Sequence, residues 1–319
     1  MITGTGEATV LHHNVFDEFG CQEGERTPEF PDVDFLGVRT RGYYPDGPCC
    51  SQGKRIVKDY PPFNEEYFEW IDLLESVKEA RDKFVMIELG AGYGTWLVRA
   101  ALAVQRYHRV LPFLLVGVEG EPTHFKWMRQ HFHDNGLDPE EHRLFNAAVS
   151  DQDGKVLFTV GTPGLWRGQY IVNQFPKRFP KDFYRWLHVK LLGTWRIHKV
   201  ERDYWTGKPY TIRAQAREIP AISLNTILSS LQTVDLIDLD VQGVEVQVIK
   251  AAREQLQAKV KRVHIGTHGR DIERRLRRLF GNLGWKKIND YPFKSDSPTP
   301  HGVIRFDDGV QSWLNPKKR

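Results

Sequence analysis

The stretch "VMIELGAGYGTW", residues 85 to 96, limits the possible folds more than any other part of this chain. An apolar run interrupted by Glu88 reads as a buried strand, Gly90, Gly92 and Gly94 follow at alternate positions, and "GTWLVRAALAVQRYH" continues at helical spacing. Glycines let the backbone take positive φ and approach a ligand with no Cβ between them, and a helix start offers free N–H donors. A strand, a glycine turn and a helix in that order imply a sheet with crossover helices and a nucleotide-like ligand at the turn.

The same alternation continues. The strands are "FLLVGVE", "HRLFNAAVS", "VDLIDLD" and "VKRVHIGTH", and the helices "PTHFKWMRQHFHDNG", "GVEVQVIKAAREQL" and "DIERRLRRLFGNLG". "GKVLFTVG" reads as an edge strand, and "WKKINDY" and "GVIRF" as two short strands closing the chain. This predicts an α/β fold: a doubly wound, mainly parallel sheet of Rossmann-like type with helices on both faces. Residues 1–62 form an N-terminal extension, rich in turn signals and without sustained period, expected to be irregular and mobile over its first 25 or so residues. Residues 63–319 form the main domain, and 161–217 an insertion within it.

Net charge is +4, but the insertion holds twelve Lys/Arg against three Asp/Glu, so the remainder is net negative. The start, "MITGTGEATVLHHN", lacks the basic and apolar regions of a signal peptide, and no apolar run approaches a membrane span, so a cytoplasmic protein is expected. Cys21, Cys49 and Cys50 lack zinc-ligand spacing and read as reduced thiols.

Asp238 and Asp240 interrupt the strand "VDLIDLD" two positions apart, and so on one face. Burying ionised carboxylates costs several kcal/mol, of the order of the penalty for any unpaired buried ion, unless they are paired. Asp240 ends its strand, where a doubly wound sheet places its ligands. In the next strand His264, Gly266 and His268 share a face, with His268 at the end. Asp240 with His268 can act as a general base towards a hydroxyl, or the pair can hold a divalent cation such as magnesium. His264 is a third catalytic candidate, with a hydrogen-bonded core role as the alternative, and Asp238 is expected to serve structure through a partner such as His264.

The loop reads G-x-G-x-G after an acid, the S-adenosylmethionine pattern; the dinucleotide fingerprint would need glycine where Thr95 stands. In order, "IELGAGYGTW", "VGVEGEP", "NAAVSDQDGKVLFTV", "ISLNTIL" and "VDLIDLDVQGVEVQVIKAA" resemble the FkbM-type methyltransferase family. The last is similar to a signature D-x-x-K-I-D-V-E-G-x-E, matched at Asp240, Gly243 and Glu245, with Asp238 in place of its lysine and Gln242 in place of its glutamate. The resemblance implies a class I methyltransferase fold and O-methyl transfer to a sugar hydroxyl of a glycan, glycolipid or glycosylated natural product. It implies an S-adenosyl-L-methionine site made by Glu88, Gly90, Ala91, Gly92, Tyr93, Gly94, Glu119, Gly120 and Ala148. Glu88 suits the cationic amino group and Glu119 the ribose hydroxyls.

The insertion interleaves aromatic and cationic residues, among them Trp166, Arg167 and Tyr170. Such residues stack on sugars and grip phosphates, which suggests a lid or platform for a carbohydrate or glycolipid acceptor, anionic in one reading. Within it "PKDFYRWLHVKLLG" has the pattern of an amphipathic helix, so peripheral contact with the inner membrane face is assigned to 178–192. A solvated cationic surface is the plainer reading. Nucleic acid is not expected, because the rest of the chain is net negative. Two other functions stay open: a non-catalytic S-adenosylmethionine- or glycan-binding module, and an NAD-dependent oxidoreductase.

Overall fold

The computed structural model describes residues 12–20, 26–44, 60–161, 169–171, 191, 194–202 and 204–318. The N-terminal extension contributes helix α1 (Val15–Phe19) and two paired two-residue strands, β1 (Asp32–Val33) and β2 (Arg39–Thr40). Then come α2 (Tyr67–Glu79), β3 (Phe84–Leu89), α3 (Thr95–His108), β4 (Phe113–Glu119), α4 (Pro122–Asp134), β5 (Arg143–Asn146), β6 (Ala148–Ser150) and β7 (Gly154–Val160). The insertion and the rest supply β8 (Thr194–Arg202), β9 (Pro209–Ser223), α5 (Leu224–Ser229), β10 (Val234–Leu239), α6 (Glu245–Ala251), α7 (Arg253–Lys259) and β11 (Val260–Thr267). Helix α8 (Arg270–Leu283), β12 (Lys286–Tyr291), β13 (Ser295–Thr299), β14 (Gly302–Phe306) and β15 (Gly309–Leu314) complete the chain.

The main sheet has seven strands in the order β12-β15-β11-β10-β3-β4-β5. From β11 to β5 all neighbours are parallel, while β15 runs antiparallel to both β11 and β12. β3, β10 and β15 are buried throughout, as expected of strands covered on both faces. Side-chain alternation divides the core in two. Phe84, Met86 and Leu236 pack under α1, α2 and α3, whereas Val85, Ile87, Ile237, Leu239 and Trp313 pack under α5 to α8.

On the α2 side a polar row crosses this apolar face. Glu88, Asp238, His264 and Ser312 are register partners on β3, β10, β11 and β15. Asp72 of α2, fully buried, closes onto it: its carboxylate accepts from Arg262 Nη1 at 2.9 Å, from His264 Nδ1 at 2.8 Å and from the Ser312 hydroxyl. Burial by itself would raise the Asp72 carboxyl; His264, Arg262 and Ser312 together bring it below the ordinary range.

Several sequence expectations need correction. "HRLFNAAVS" breaks at Ala147, so that β5 belongs to the main sheet and β6 to a second one with β9 and β7. "GKVLFTVG" is therefore an edge of that second sheet, and "GVIRF" forms a separate hairpin with β13. The strand that enters the main sheet is "GVQSWL" (β15), whose Gln311 and Ser312 break the apolar run although both are fully buried. The described part of the insertion is not helical apart from its isolated Leu191: β8 and β9 form a long antiparallel hairpin from Thr194 to Arg217. The amphipathic segment (Leu191 apart), Trp166, Arg167, the three cysteines and residues 1–11 lie outside the described residues. Among the described residues, no helix is long and apolar enough to cross a membrane.

Replacing Asp72 by alanine leaves a buried guanidinium without its partner, so unfolding free energy in urea should fall by roughly 3–5 kcal/mol. The exposed pair Arg274–Asp271 is the control: Asp271→Ala should change stability by less than about 1 kcal/mol.

Candidate functional site

Above the C-terminal ends of β3, β4 and β10 lies a cavity of about 900 Å³. Its floor is the glycine turn. Gly90 has φ +87°, and a Cβ there would lie 1.8 Å from the Asp240 carbonyl oxygen, so only glycine fits. Gly92 (φ +53°) and Gly94 (φ +73°) continue the turn, with Gly94 capping α3. The Gly90 and Ala91 amides donate to the Val118 carbonyl at 3.0 Å, tying the turn to β4.

Glu119, at the end of β4, reaches back into the turn. Its Oε2 accepts from the Gly92 amide at 2.7 Å and its Oε1 from the Glu121 amide at 2.6 Å. Burial pushes its carboxyl up to about 7 against those bonds. Tyr93 is buried and stacks on Tyr44 of the N-terminal extension, ring centroids 4.7 Å apart. Gly120 is required by contact, since a Cβ would meet the Phe158 ring at 2.9 Å, and Ala148 on β6 lines the wall. Glu88 also lines the cavity, but its Oε2 accepts from the Leu97 amide at 3.1 Å, so it caps α3 as well. Burial and then the adjacent Asp238 raise its carboxyl well above the ordinary range.

The three catalytic candidates fall into two clusters. In the first, His268 Nε2 lies 3.2 Å from Asp240 Oδ1, and its Nδ1–H donates to Glu245 Oε1 at 2.5 Å. Asp308 stands 3.7 Å away, and the Gln242 carboxamide approaches Nε2 at 2.8 Å. Burial lowers the His268 pKa, but Asp240, Glu245 and Asp308 outweigh it and raise it to about 9. Burial in turn pushes the Asp240 carboxyl up to about 7, with His268 opposing. The pair therefore forms as expected but with a different division of labour. The three acids around the ring favour the protonated form of His268 at neutral pH, with the Gln242 carboxamide turned so that its oxygen accepts from Nε2–H, which leaves Asp240 as the basic member. Gln242, where the resemblance expects glutamate, takes a left-handed φ of +49°.

His264 does not join this pair. It is buried on Asp72, and it stands with Asp238 and Glu69 in one group whose ligand atoms lie within 4.8 Å of one another. Asp238, with a partner such as His264 expected from the sequence, has His264 within reach and Glu69 as an unforeseen neighbour. Sequence reasoning missed Glu69, Asp72 and Asp308. The first two were legible as acids three apart on the otherwise apolar face of α2; Asp308 sits in the turn before the missed strand. From the insertion, Gln169, Ile171 and Thr211 line the cavity. Tyr170, placed among the substrate residues, points its neighbours inward instead: its backbone clasps Thr159, with Tyr170 N to Thr159 Oγ1 at 2.8 Å.

Counting the seven main-sheet strands along the chain, the order is 3-2-1-4-5-7-6 with the seventh antiparallel, and the glycine turn follows the first. The fold is that of a class I methyltransferase. No protein-family model matches the chain. It is 27% identical over 264 residues to a protein of Jannaschia sp. (strain CCS1) described as "Putative methyltransferase", covering 82% of this chain and 84% of the relative. Among solved structures, it is similar to a precorrin-6y C5,15-methyltransferase from Geobacter metallireducens GS-15, at 9% identity and TM-score 0.39 over 77% of this chain and 85% of that one. It is similar as well to the methyltransferase FkbM from Methylobacillus flagellatus KT, at 10% identity and TM-score 0.40, covering 74% of this chain and 45% of that one.

The assignment of charge in the Asp240–His268 pair is open to direct measurement. Long-range ¹H–¹⁵N correlation spectra should show the His268 ring titrating near pH 9. In Asp240→Asn the midpoint should move down, towards the ordinary histidine value of about 6.5.

Proposed function

We propose that the chain is an S-adenosylmethionine-dependent methyltransferase that methylates a hydroxyl of a polyhydroxylated, carbohydrate-like acceptor, with Asp240 as general base. The observation that carries this reading is the contact between base and turn: the Asp240 carbonyl fills the space where Gly90 lacks a Cβ. The cradle fits the cosubstrate. The glycine turn would pass beneath it, Glu119 would take the ribose hydroxyls, and Glu88, whose raised carboxyl is stabilised as an anion by a nearby cation, would face the ammonium group. Bound there, S-adenosylmethionine supplies an electrophilic methyl group.

An alcohol is essentially un-ionised at neutral pH, so oxygen methylation requires an aligned hydroxyl and a group to take its proton. Asp240, titrating near 7 and held beside a cation, meets that need. His268 keeps Asp240 ionised and oriented through Glu245.

The acceptor is read from the walls. Asp32, Glu65, Glu66, Glu69, Asp307 and Asp308 line the cavity, while its Arg99 is engaged by Asp34 at 3.0 Å and Glu66 at 3.5 Å. Such a surface repels phosphate and carboxylate groups and favours an uncharged or amino-bearing acceptor over an anionic glycan or a nucleic acid. Thr211, Gln169 and Ile171 from the insertion support its role as a platform at the acceptor side.

Calorimetric titration should show one site for S-adenosylhomocysteine and no heat with NAD, and Gly92→Val should abolish that binding. No binding of S-adenosylhomocysteine would overturn the reading, and binding without methyl transfer to any of a panel of neutral and amino sugars would favour a non-catalytic module. Asp240→Asn should retain binding and lower turnover about 10²–10⁴-fold. Wild-type kcat/KM should rise through pH 7 as Asp240 ionises and fall near pH 9 as His268 loses its proton. In His268→Gln the acidic limb should move to higher pH, because the cation that favours the carboxylate is gone.

A further inference from the structure

The polar row contains a second cluster that the Asp240 chemistry does not use. Glu69 from α2, Asp238 from β10 and His264 from β11 each offer one ligand atom, and these atoms lie within 4.8 Å of one another. All three line the cavity. We propose that Glu69, Asp238 and His264 form a binding site for one divalent transition-metal ion of the zinc or manganese class, open on the cavity side.

Four observations support the site. First, the imidazole is already oriented for it: Asp72 takes Nδ1 at 2.8 Å, leaving Nε2 for the cavity that the ring lines. A carboxylate on the far nitrogen of a ligating histidine fixes its tautomer and strengthens it as a donor. Second, Asp72 is itself locked, by Arg262 and Ser312, so this orientation exists without the ion. Third, the ligands stand on regular elements, a helix and two adjacent central strands, not on loops. Fourth, two carboxyl groups face each other here, with Glu88, the register partner of Asp238 on β3, beside them, so three acids gather at one point of the cavity wall. A cation relieves that crowding.

The donor set selects the metal class. One imidazole nitrogen with two carboxylates suits zinc, manganese or ferrous iron, whereas magnesium and calcium favour oxygen-only shells. Three protein ligands leave positions free for water or an acceptor hydroxyl, two residues back along β10 from Asp240.

The competing arrangement is a single proton shared between Glu69 and Asp238. To separate the two, the full-length protein is dialysed against a chelator and titrated with Mn²⁺, with bound ion counted by electron paramagnetic resonance, and with Zn²⁺ by calorimetry. The expected result is one saturable ion per chain, with affinity lowered at least about 10-fold in Glu69→Gln and in Asp238→Asn and about 10–100-fold in Asp72→Asn, the positioning residue. Asp240→Asn should retain the full stoichiometry. A readout independent of variants is zinc X-ray absorption on the wild-type protein, which should show one imidazole in an otherwise oxygen shell. No saturable binding, affinity unchanged in both carboxylate variants, or a shell with two imidazoles would overturn the proposal. None of these outcomes bears on S-adenosylhomocysteine binding, which tests the methyltransferase reading separately.

Discussion

The Asp72 carboxylate is the contact on which the rest depends. It joins α2 to β11 and β15 through three donors: a guanidinium, an imidazole and a hydroxyl. A fully buried acid is costly unless each lone pair is met, and here charge and hydrogen bonds meet them. The result is directional. Hydrophobic contact alone would let α2 slide on an apolar sheet, whereas a three-point clasp admits one register of helix on strands. That register brings Glu69, one turn earlier on α2, over Asp238, and it sets the rotation of the His264 ring. The polar row is thus both the lock of the core and one wall of the cavity.

The N-terminal extension is bound into the same architecture. Its Val15, Phe16 and Phe19 belong to the core beneath α2 and α3. Asp34 holds Arg99, whose guanidinium sits 4.3 Å from the Trp70 and Trp96 ring centroids, so a cation of α3 is fixed between two indoles and an acid of the extension. Tyr44 stacks on Tyr93 of the glycine turn, and Asp32 reaches the cavity wall. A turn rich in glycine is soft by itself; these contacts from outside the sheet give it one shape, and the extension helps to complete the site.

The sequence made legible whatever depends on strict periodicity or on backbone chemistry. The glycine turn, the acids closing β3 and β4 and the alternation of parallel strands with helices are local signals, and each lies where its pattern put it. Less legible was whatever depends on partners far apart in the chain. β15 escaped because Gln311 and Ser312 look like surface residues until their partners Trp313, Asn289 and Asp72 are in place. Glu69 and Asp72 stand three apart on the apolar face of α2, but the spacing does not say what they meet, because the partners of Asp72 are Arg262 and His264, nearly 200 residues later. The break at Ala147, which sends β6 into a second sheet, is marked in the sequence only by Asn146, whose side chain donates to the Glu119 carbonyl of β4. The pairing of Asp240 with His268 was readable from strand-end positions, but the ownership of the proton was not, because it rests on Glu245 and Asp308.

Asp238 and Asp240 then show how two carboxylates two residues apart on one strand come to differ in kind. Asp238, inside β10, is 3% exposed and meets Glu69, so its surroundings are acids and an imidazole already held by Asp72. Asp240 lies just past the strand end, its side chain 52% accessible within the cavity, with an imidazolium at 3.2 Å. Desolvation within the cavity raises both carboxyls, but Asp240 combines that rise with the greater exposure to the cavity and with the His268 ring as a counter-cation below about pH 9. Groups whose environments diverge in this way take different roles in one site. The strand end sets the difference: inside the sheet Asp238 meets the cavity only in company with Glu69 and His264, whereas one step beyond it Asp240 stands in the open part of the cavity beside His268.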